Sequence, residues 1–241
     1  MGVMLSRADY ESALCLVGDA GAGVSYDETV STLLTRLPRL VDSELTTLSF
    51  CDLARGRRTV VSHPARAIGP AEIDCFNRYF KEHPLVRYHR THPAGLTWRI
   101  SDSLSGEAFR RTALFNEYYR RVGIDSVVAM PVVNVPGLLV SFVLNRRARD
   151  FSDRDRSMLD VLRAPVAELL RARRAMAANP ALESLTARER QVLDWVARGK
   201  TNADVAAILG ISARTVQKHL ENIFGKLGVE TRTAAALRLK G

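Results

Sequence analysis

An α+β chain in two domains is the fold class predicted here: an α/β/α sandwich on an antiparallel sheet over residues 1–178, and an all-α, four-helix domain over residues 185–241, with a linker at 179–184. Three observations predict it. The 241 residues exceed the usual span of one domain, about 100 to 150 residues. Apolar residues recur at three- and four-residue spacing in some stretches and as β-branched runs in others. Asn179-Pro180 interrupts a long helical pattern, and only helical patterns follow.

Each element has its own signal. Asp9–Val17 and Asp27–Val41 read as amphipathic helices, the second through Val30, Leu33, Leu34, Leu37 and Val41, with Pro38 placed to kink it. The intervening Gly18-Asp-Ala-Gly21-Ala-Gly23 lacks the Lys-Ser/Thr of a phosphate-binding P-loop and reads as a loop. Leu45–Leu53 and Arg57–His63 are strand-like and are joined by a turn at Ala54-Arg-Gly56. Pro70–Glu82 returns to helical spacing, with Ile73, Phe76 and Phe80 on one face. A Pro-broken stretch through His83-Pro84 and His92-Pro93 leads to a short strand, Leu96–Ile100, and a helix, Gly106–Val122.

Ser126–Leu144 is 19 residues long and nearly free of polar groups, close to the roughly 20 that span a bilayer. Asn134-Val-Pro-Gly137 at its middle is turn chemistry, however, so the stretch predicts two buried strands, 126–133 and 137–146, and no membrane partner. A long helix then starts at Asp150-Phe-Ser, with Ser152 as cap, Asp155 three residues on and Phe151 as a staple. Met158, Leu159, Val161, Leu162, Val166, Leu169 and Leu170 make it densely apolar, which marks it as the expected dimer element. It runs towards Ala178.

Thirty-five Lys and Arg against 26 Asp and Glu give a net charge of +9, which suits a polyanionic partner. Residues 181–241 hold ten basic and six acidic side chains and are about twice as basic per residue as the rest. Lys81 is the only lysine before Lys200. Three cysteines, Cys15, Cys51 and Cys75, are too few and too irregular for a disulfide framework or a zinc cluster, and Met1–Asp9 has no signal-peptide pattern; both suit a reducing cytoplasm. His83, His89 and His92 lack metal-ligand pair spacing. No nucleophile elbow, metalloprotease helix or cofactor fingerprint is present, so neither enzyme activity nor a cofactor is expected.

In the last 57 residues, Thr186 to Glu189 is a capping box opening a helix with Val192, Leu193 and Val196 on one face. Thr201 to Asp204 opens a second, with Val205, Ala206, Ile208 and Leu209 expected inward. Gly210-Ile211 is a tight turn, Ser212 caps a third helix to about Leu227, and a fourth begins near Thr231–Thr233. Helix, short turn, helix is the unit whose second member enters a DNA major groove.

Leu185-Thr-x-Arg-Glu-Arg190, Gly199-Lys-Thr-Asn202, Ile211-Ser-x-x-Thr-Val216, Lys218-His219, Asn222-Ile223, Lys226-Leu-Gly-Val229 and Thr231-Arg-Thr-Ala234 resemble the LuxR/NarL/GerE-type helix-turn-helix. The resemblance implies a bacterial transcription factor binding double-stranded DNA as a homodimer, with RNA polymerase as a further partner if it activates. It implies that the helix from Ser212 reads the major groove with Thr215, Gln217, Lys218 and Glu221 outward, and with Val216, Leu220 and Ile223 inward. On that face Lys218 suits guanine O6/N7, Gln217 adenine N6/N7 and Glu221 cytosine N4. Thr201, Asn202, Arg214, His219 and Lys226 suit phosphate. Thr201 and Ser212 serve equally as caps, and Asn222 as a DNA contact or a packing amide.

A phosphoreceiver input domain is excluded by the lack of any lysine between Glu82 and Gly199. Residues 1–178 resemble a GAF/PAS-type or autoinducer-binding sensor sandwich. Phe76-x-x-Tyr79-Phe80-x-x-His83-Pro84 followed by Trp98 is similar to the aromatic-Asp-Pro-Trp pattern of acyl-homoserine-lactone receptors, with His83 where those receptors carry Asp. Phe76, Tyr79, His83 and Trp98 are therefore the candidate contacts for a small-molecule signal. The alternative is a ligand-independent regulator whose first domain dimerises or docks another protein; a third reading fuses an enzyme to a DNA-binding tail.

Overall fold

Five strands pair antiparallel throughout in the order β2-β1-β5-β4-β3: β1 Leu45–Asp52, β2 Arg57–His63, β3 Trp98–Arg99, β4 Ser126–Val135 and β5 Leu138–Arg146. This computed structural model describes residues 4–93, 95–177 and 180–240. It divides into two compact units, Met1–Arg173 and Arg174–Gly241. Of the residues at the expected end of the long helix, Ala178 and Asn179 lie outside the described residues.

The sheet of the first unit is buried on both faces, which is why β4 and β5 are almost wholly apolar in sequence. Side-chain alternation sends Leu48, Val128, Met130, Val140, Phe142 and Leu144 to one face, under α1 (Arg7–Gly21), α2 (Tyr26–Leu40) and α7 (Asp153–Ala177). The opposite face meets α3 (Pro70–Arg78), α4 (Pro84–Thr91), α5 (Gly106–Arg110) and a π-helical turn at Phe115–Tyr119. The expected α/β/α sandwich is the observed one. The 126–146 stretch folds as the β4–β5 hairpin, turned at Gly137, whose φ of +86° only glycine adopts without strain. Among the described residues no helix is long and apolar enough to cross a membrane.

Several elements differ from expectation for local reasons. Helix α1 begins two residues early because Ser6 and Asp9 form a capping box, and it continues through Gly21, so most of the glycine stretch expected as a loop is helical. Ser25 caps α2, and Pro38 lies inside the helix. The helix expected to Glu82 ends at Arg78: His83, ahead of a proline, takes an extended conformation, and Pro84 opens the unforeseen helix α4 at its favoured first position. The strand expected over Leu96–Ile100 shortens to two residues because Asp102 accepts the Arg99 N–H and draws Ile100–Asp102 into a 3₁₀ turn. Gly106–Val122 is not continuous. The Thr112 hydroxyl bonds the Phe109 carbonyl and accepts from the Phe115 N–H, closing α5 and opening the π turn, after which α6 (Arg120–Val122) ends at Gly123.

Ser152 caps α7 with Asp155 reciprocating, as expected. Its apolar face is consumed by the unit's own core: Met158, Leu159, Leu162 and Val166 are all buried against the sheet. The assignment of α7 as dimer element on that face is thereby corrected.

The second unit comprises α8 (Pro180–Glu183), α9 (Ala187–Ala197), α10 (Asn202–Leu209), α11 (Ala213–Leu227) and α12 (Arg232–Lys240). Val192, Leu193, Val196, Val205, Val216, Leu220, Ile223 and Ala235 form its core. Ile208 was expected inward and is 45% exposed, because the two-turn α10 turns only Val205, Ala206 and, in part, Leu209 to the core.

Candidate nucleic-acid interface and buried cavity

Local chemistry fixes the helix-turn-helix. Thr201 caps α10, its hydroxyl accepting from the Asp204 N–H and donating to the Asp204 carboxylate at 2.8 Å. Gly210, at φ +65°, is the left-handed residue that lets the chain reverse. The Ser212 hydroxyl then accepts from the Thr215 N–H at 3.0 Å and lies 2.8 Å from the Thr215 hydroxyl.

Along α11, Val216, Leu220, Ile223 and Leu227 are buried, so the intervening residues are turned outward. Ser212, Arg214, Thr215, Gln217, Lys218 and Glu221 line one open groove on that face. Lys218 and Glu221 approach to 3.7 Å and are both well exposed. Asn222 is exposed and His219 half-buried on the same helix.

Two other residues of the expected set, Lys226 and Asn202, have partners inside the unit. Lys226 donates to Glu189 at 2.6 Å and to the Ser184 carbonyl at 3.1 Å, tying α11 to the start of α9. Asn202 receives a hydrogen bond from Arg232 at 2.7 Å and donates to Gln217 Oε1 at 3.0 Å. Arg232, the first residue of α12, also holds the Lys200 carbonyl. Its role had no signal in the sequence beyond its place in the Thr231-Arg-Thr motif.

The first unit holds a cavity of about 40 Å³ between the sheet and α3, α4 and the π turn. Ser49, Cys51, Arg58, Ser141 and Asn145 rise from the strands, and Phe76, His83, His89, Tyr118 and Tyr119 close it from the helical side. Of the four expected ligand contacts, Phe76 and His83 line it. Tyr79 and Trp98 do not. The Tyr79 hydroxyl bonds the Glu117 carboxylate, which pushes its pKa up. Trp98 stacks on Tyr88 at 3.9 Å between ring centroids and donates to the Ser103 hydroxyl. The Tyr79 and Trp98 rings are both partly buried against the apolar cluster beside the cavity and do not line it.

His83 Nε2 lies 2.6 Å from the Tyr119 hydroxyl. Burial and then the Arg58 charge push its pKa down to about 3, and burial followed by His92 brings His89 down to about 4, so both rings are neutral at pH 7. Arg58 donates to Tyr118 at 2.8 Å and to Ser49 at 3.2 Å, and its guanidinium sits 4.4 Å from the Phe76 ring centre. The missed cavity residues did carry a signal. Thr47, Ser49 and Cys51 in β1, and Ser141 and Asn145 in β5, put polar groups at period two within runs otherwise fit for a dry core. Among the described residues no cluster of three His, Cys, Asp or Glu could hold a metal ion.

Together these features define a two-unit chain: an α/β/α sandwich with a small cavity between its sheet and one helical layer, followed by a helix-turn-helix with an outward polar face. The family model for bacterial regulatory proteins of the luxR family matches residues 183–239, and this segment is a luxR-family helix-turn-helix domain. The chain is 30% identical over 162 residues to y4qH of Sinorhizobium fredii, named as an HTH-type transcriptional regulator. That match covers 64% of this chain and 48% of the relative, so the chain spans about half the length of the relative it matches. Among solved structures, the VqsR LBD domain from Pseudomonas aeruginosa superposes with a TM-score of 0.54 at 15% identity, over 70% of this chain and 98% of that one. CepR2 from Burkholderia cenocepacia, described as an N-acylhomoserine-lactone-dependent LuxR-family transcription factor, gives a TM-score of 0.50 at 12% identity, over 70% and 99%. At these identities the likeness establishes the fold of the first unit.

Proposed function

We propose that the chain is a cytoplasmic, homodimeric, DNA-binding transcriptional regulator whose first unit senses a small molecule. The observation that carries this reading is the polarity of α11: four buried apolar residues on one side, and Ser212, Arg214, Thr215, Gln217, Lys218 and Glu221 lining a groove on the other. A dimer would present two such faces to two half-sites, and contact with RNA polymerase would follow if it activates. Selection of bound DNA fragments by the purified full-length protein, at fixed salt, tests it. A two-fold-symmetric motif is expected, and absence of any motif overturns the reading.

Lys218 is the residue placed to reach a base edge. Lys218→Ala is expected to cost about 1–3 kcal/mol on cognate DNA and to relax preference at one position, with random DNA little affected. Competition binding against both DNAs checks this; equal losses on the two would remove Lys218 from the reading set. The Lys226 ammonium is shared with Glu189 and remains a third exposed, so contact with a backbone phosphate would compete with that ion pair.

Gln217 meets DNA with a defined polarity. An arginine only donates, so the oxygen of Asn202 must face Arg232; its NH₂ then donates to Gln217 Oε1, and the Gln217 NH₂ is left outward. Base acceptors such as purine N7, guanine O6 and thymine O4 are its natural partners, in place of the bidentate adenine pairing read from residue type alone. Asn202→Ala frees the oxygen and should move the preference at that position towards adenine. An unchanged preference in fragment selection would count against the relay.

A second reading, in which the first unit only dimerises or docks a protein, is favoured by one observation: the cavity is about 40 Å³, far below the several hundred typical of ligand pockets.

A further inference from the structure

The cavity lining is electropositive and donor-rich, and its charge is not balanced by the protein. Arg58 is 5% exposed, and among the described residues no carboxylate lies within ion-pair distance of it; its side-chain partners are two hydroxyls and the rings of Phe76 and Tyr118. The charges acting on the cavity rings of His83 and Tyr119 include no Asp or Glu. A guanidinium removed from water without a counter-charge is costly, and hydroxyl partners satisfy its geometry without neutralising it.

Three further side chains point to something absent from the chain itself. Both ring nitrogens of His89, the Nδ1 of His83 and the Ser141 hydroxyl are buried without a protein partner among the described residues, and all three residues line the same cavity. A neutral imidazole carries one N–H, so the His89 N–H and the Ser141 hydroxyl are buried donors that call for a partner supplying acceptors. Size narrows the choice. About 40 Å³ exceeds the roughly 10–15 Å³ that one water requires and falls well short of the roughly 150 Å³ that admits benzene.

We infer that this cavity binds the carboxylate of a compact organic anion of a few heavy atoms, with Arg58 as its counter-charge and Ser141 and His89 as hydrogen-bonding partners. This rests on the sensing role proposed above and names the chemical class sensed. It sets the site apart from one that holds a neutral amide or ester, for which an acidic acceptor or an uncharged lining would serve.

The test uses the full chain and small probes: acetate, propionate and pyruvate, with acetamide and propionamide as neutral counterparts, in equilibrium dialysis at constant ionic strength. A charge-assisted bond predicts that at least one carboxylate binds about tenfold or more above its amide or, for pyruvate, above propionamide. Arg58→Met should abolish that preference, and Ser141→Ala should weaken carboxylate binding while leaving the preference for charge. Arg58→Met also removes an unneutralised buried charge, so in carboxylate-free buffer its unfolding temperature should match or exceed that of the parent; this shows that lost binding is not lost fold. Equal binding of acids and amides, retention of carboxylate binding in Arg58→Met, or no binding of any probe would each overturn the inference. DNA occupancy measured alongside separates the two ideas. Carboxylate binding that leaves occupancy unchanged counts against sensing and for the site, and intact DNA reading without carboxylate binding counts the other way.

Discussion

Phe142→Ala is expected to destabilise the first unit by about 3–5 kcal/mol, the usual range for deleting a fully buried aromatic side chain. Phe142 is 0% exposed and sits on the central strand of the sheet, opposite Leu48 on one neighbour and Met130 on the other. Its ring enters the core shared with α1, α2 and α7, where Leu33, Leu159 and Leu162 are equally inaccessible. A sheet held on both edges by hydrogen-bonded neighbours cannot collapse into the vacated volume, so the loss includes the cavity as well as the transfer of the ring. Urea unfolding followed at Trp98, in a background with Trp195→Phe, reads this unit alone. A loss under about 1 kcal/mol would mean that the core relaxes around the gap or that the sandwich is not packed as described.

The second large effect concerns Glu189, 3% exposed and joining two functions in one carboxylate. It accepts the Thr186 N–H at 2.7 Å, completing the box that starts α9, and it accepts from Lys226 at 2.6 Å, fastening the last turn of α11. Glu189→Ala removes both, and a loss of about 1–3 kcal/mol is expected. That figure lies below the full toll of breaking a buried pair, because Lys226 is a third exposed and water can take over its ammonium. Burial by itself raises the Glu189 pKa, but Lys226 and the Thr186 hydrogen bonds outweigh it and hold the carboxyl below its ordinary value. A lowered folded pKa means that the unfolded chain takes up the proton first as acid is added. The stabilisation is therefore present above the ordinary carboxyl range and is lost as pH falls through the lowered pKa. Thermal unfolding followed at Trp195 between neutral and acid pH should show this decline, and Glu189→Gln should flatten it. A variant whose acid profile matches the parent would assign the decline to other groups.

The second unit was legible almost residue by residue, since caps, a left-handed glycine and an apolar stripe are local signals and each falls within a few positions of its partner. Thr186, Thr201, Ser212 and Gly210 act where their residue types place them. Ile208 failed because a two-turn helix does not carry enough periodicity to say which of two neighbouring apolar residues faces out. In the first unit the sandwich and the β4–β5 hairpin were readable from run lengths and turn residues. The helical layer over the cavity was not. Pro84 marks a break and a helix start equally well, and the interruption at Thr112 depends on a side-chain hydroxyl choosing backbone partners. The cavity was half legible: Phe76 and His83 entered through the resemblance to the aromatic-Asp-Pro-Trp pattern of acyl-homoserine-lactone receptors. Arg58 reaches the same space from a strand, and its bond to Tyr118 spans 60 residues, a separation that no local pattern records.

The Arg232–Asn202–Gln217 relay bears on how such a domain can be re-engineered or can diverge. If the outward atom of Gln217 is chosen by a residue on α12, the side chains of α11 are an alphabet whose grammar is kept on another helix. Grafting α11 alone onto a different scaffold would carry over every letter and still change what is read, and lineages could acquire new operators by mutation at Arg232 while their reading helices stayed identical.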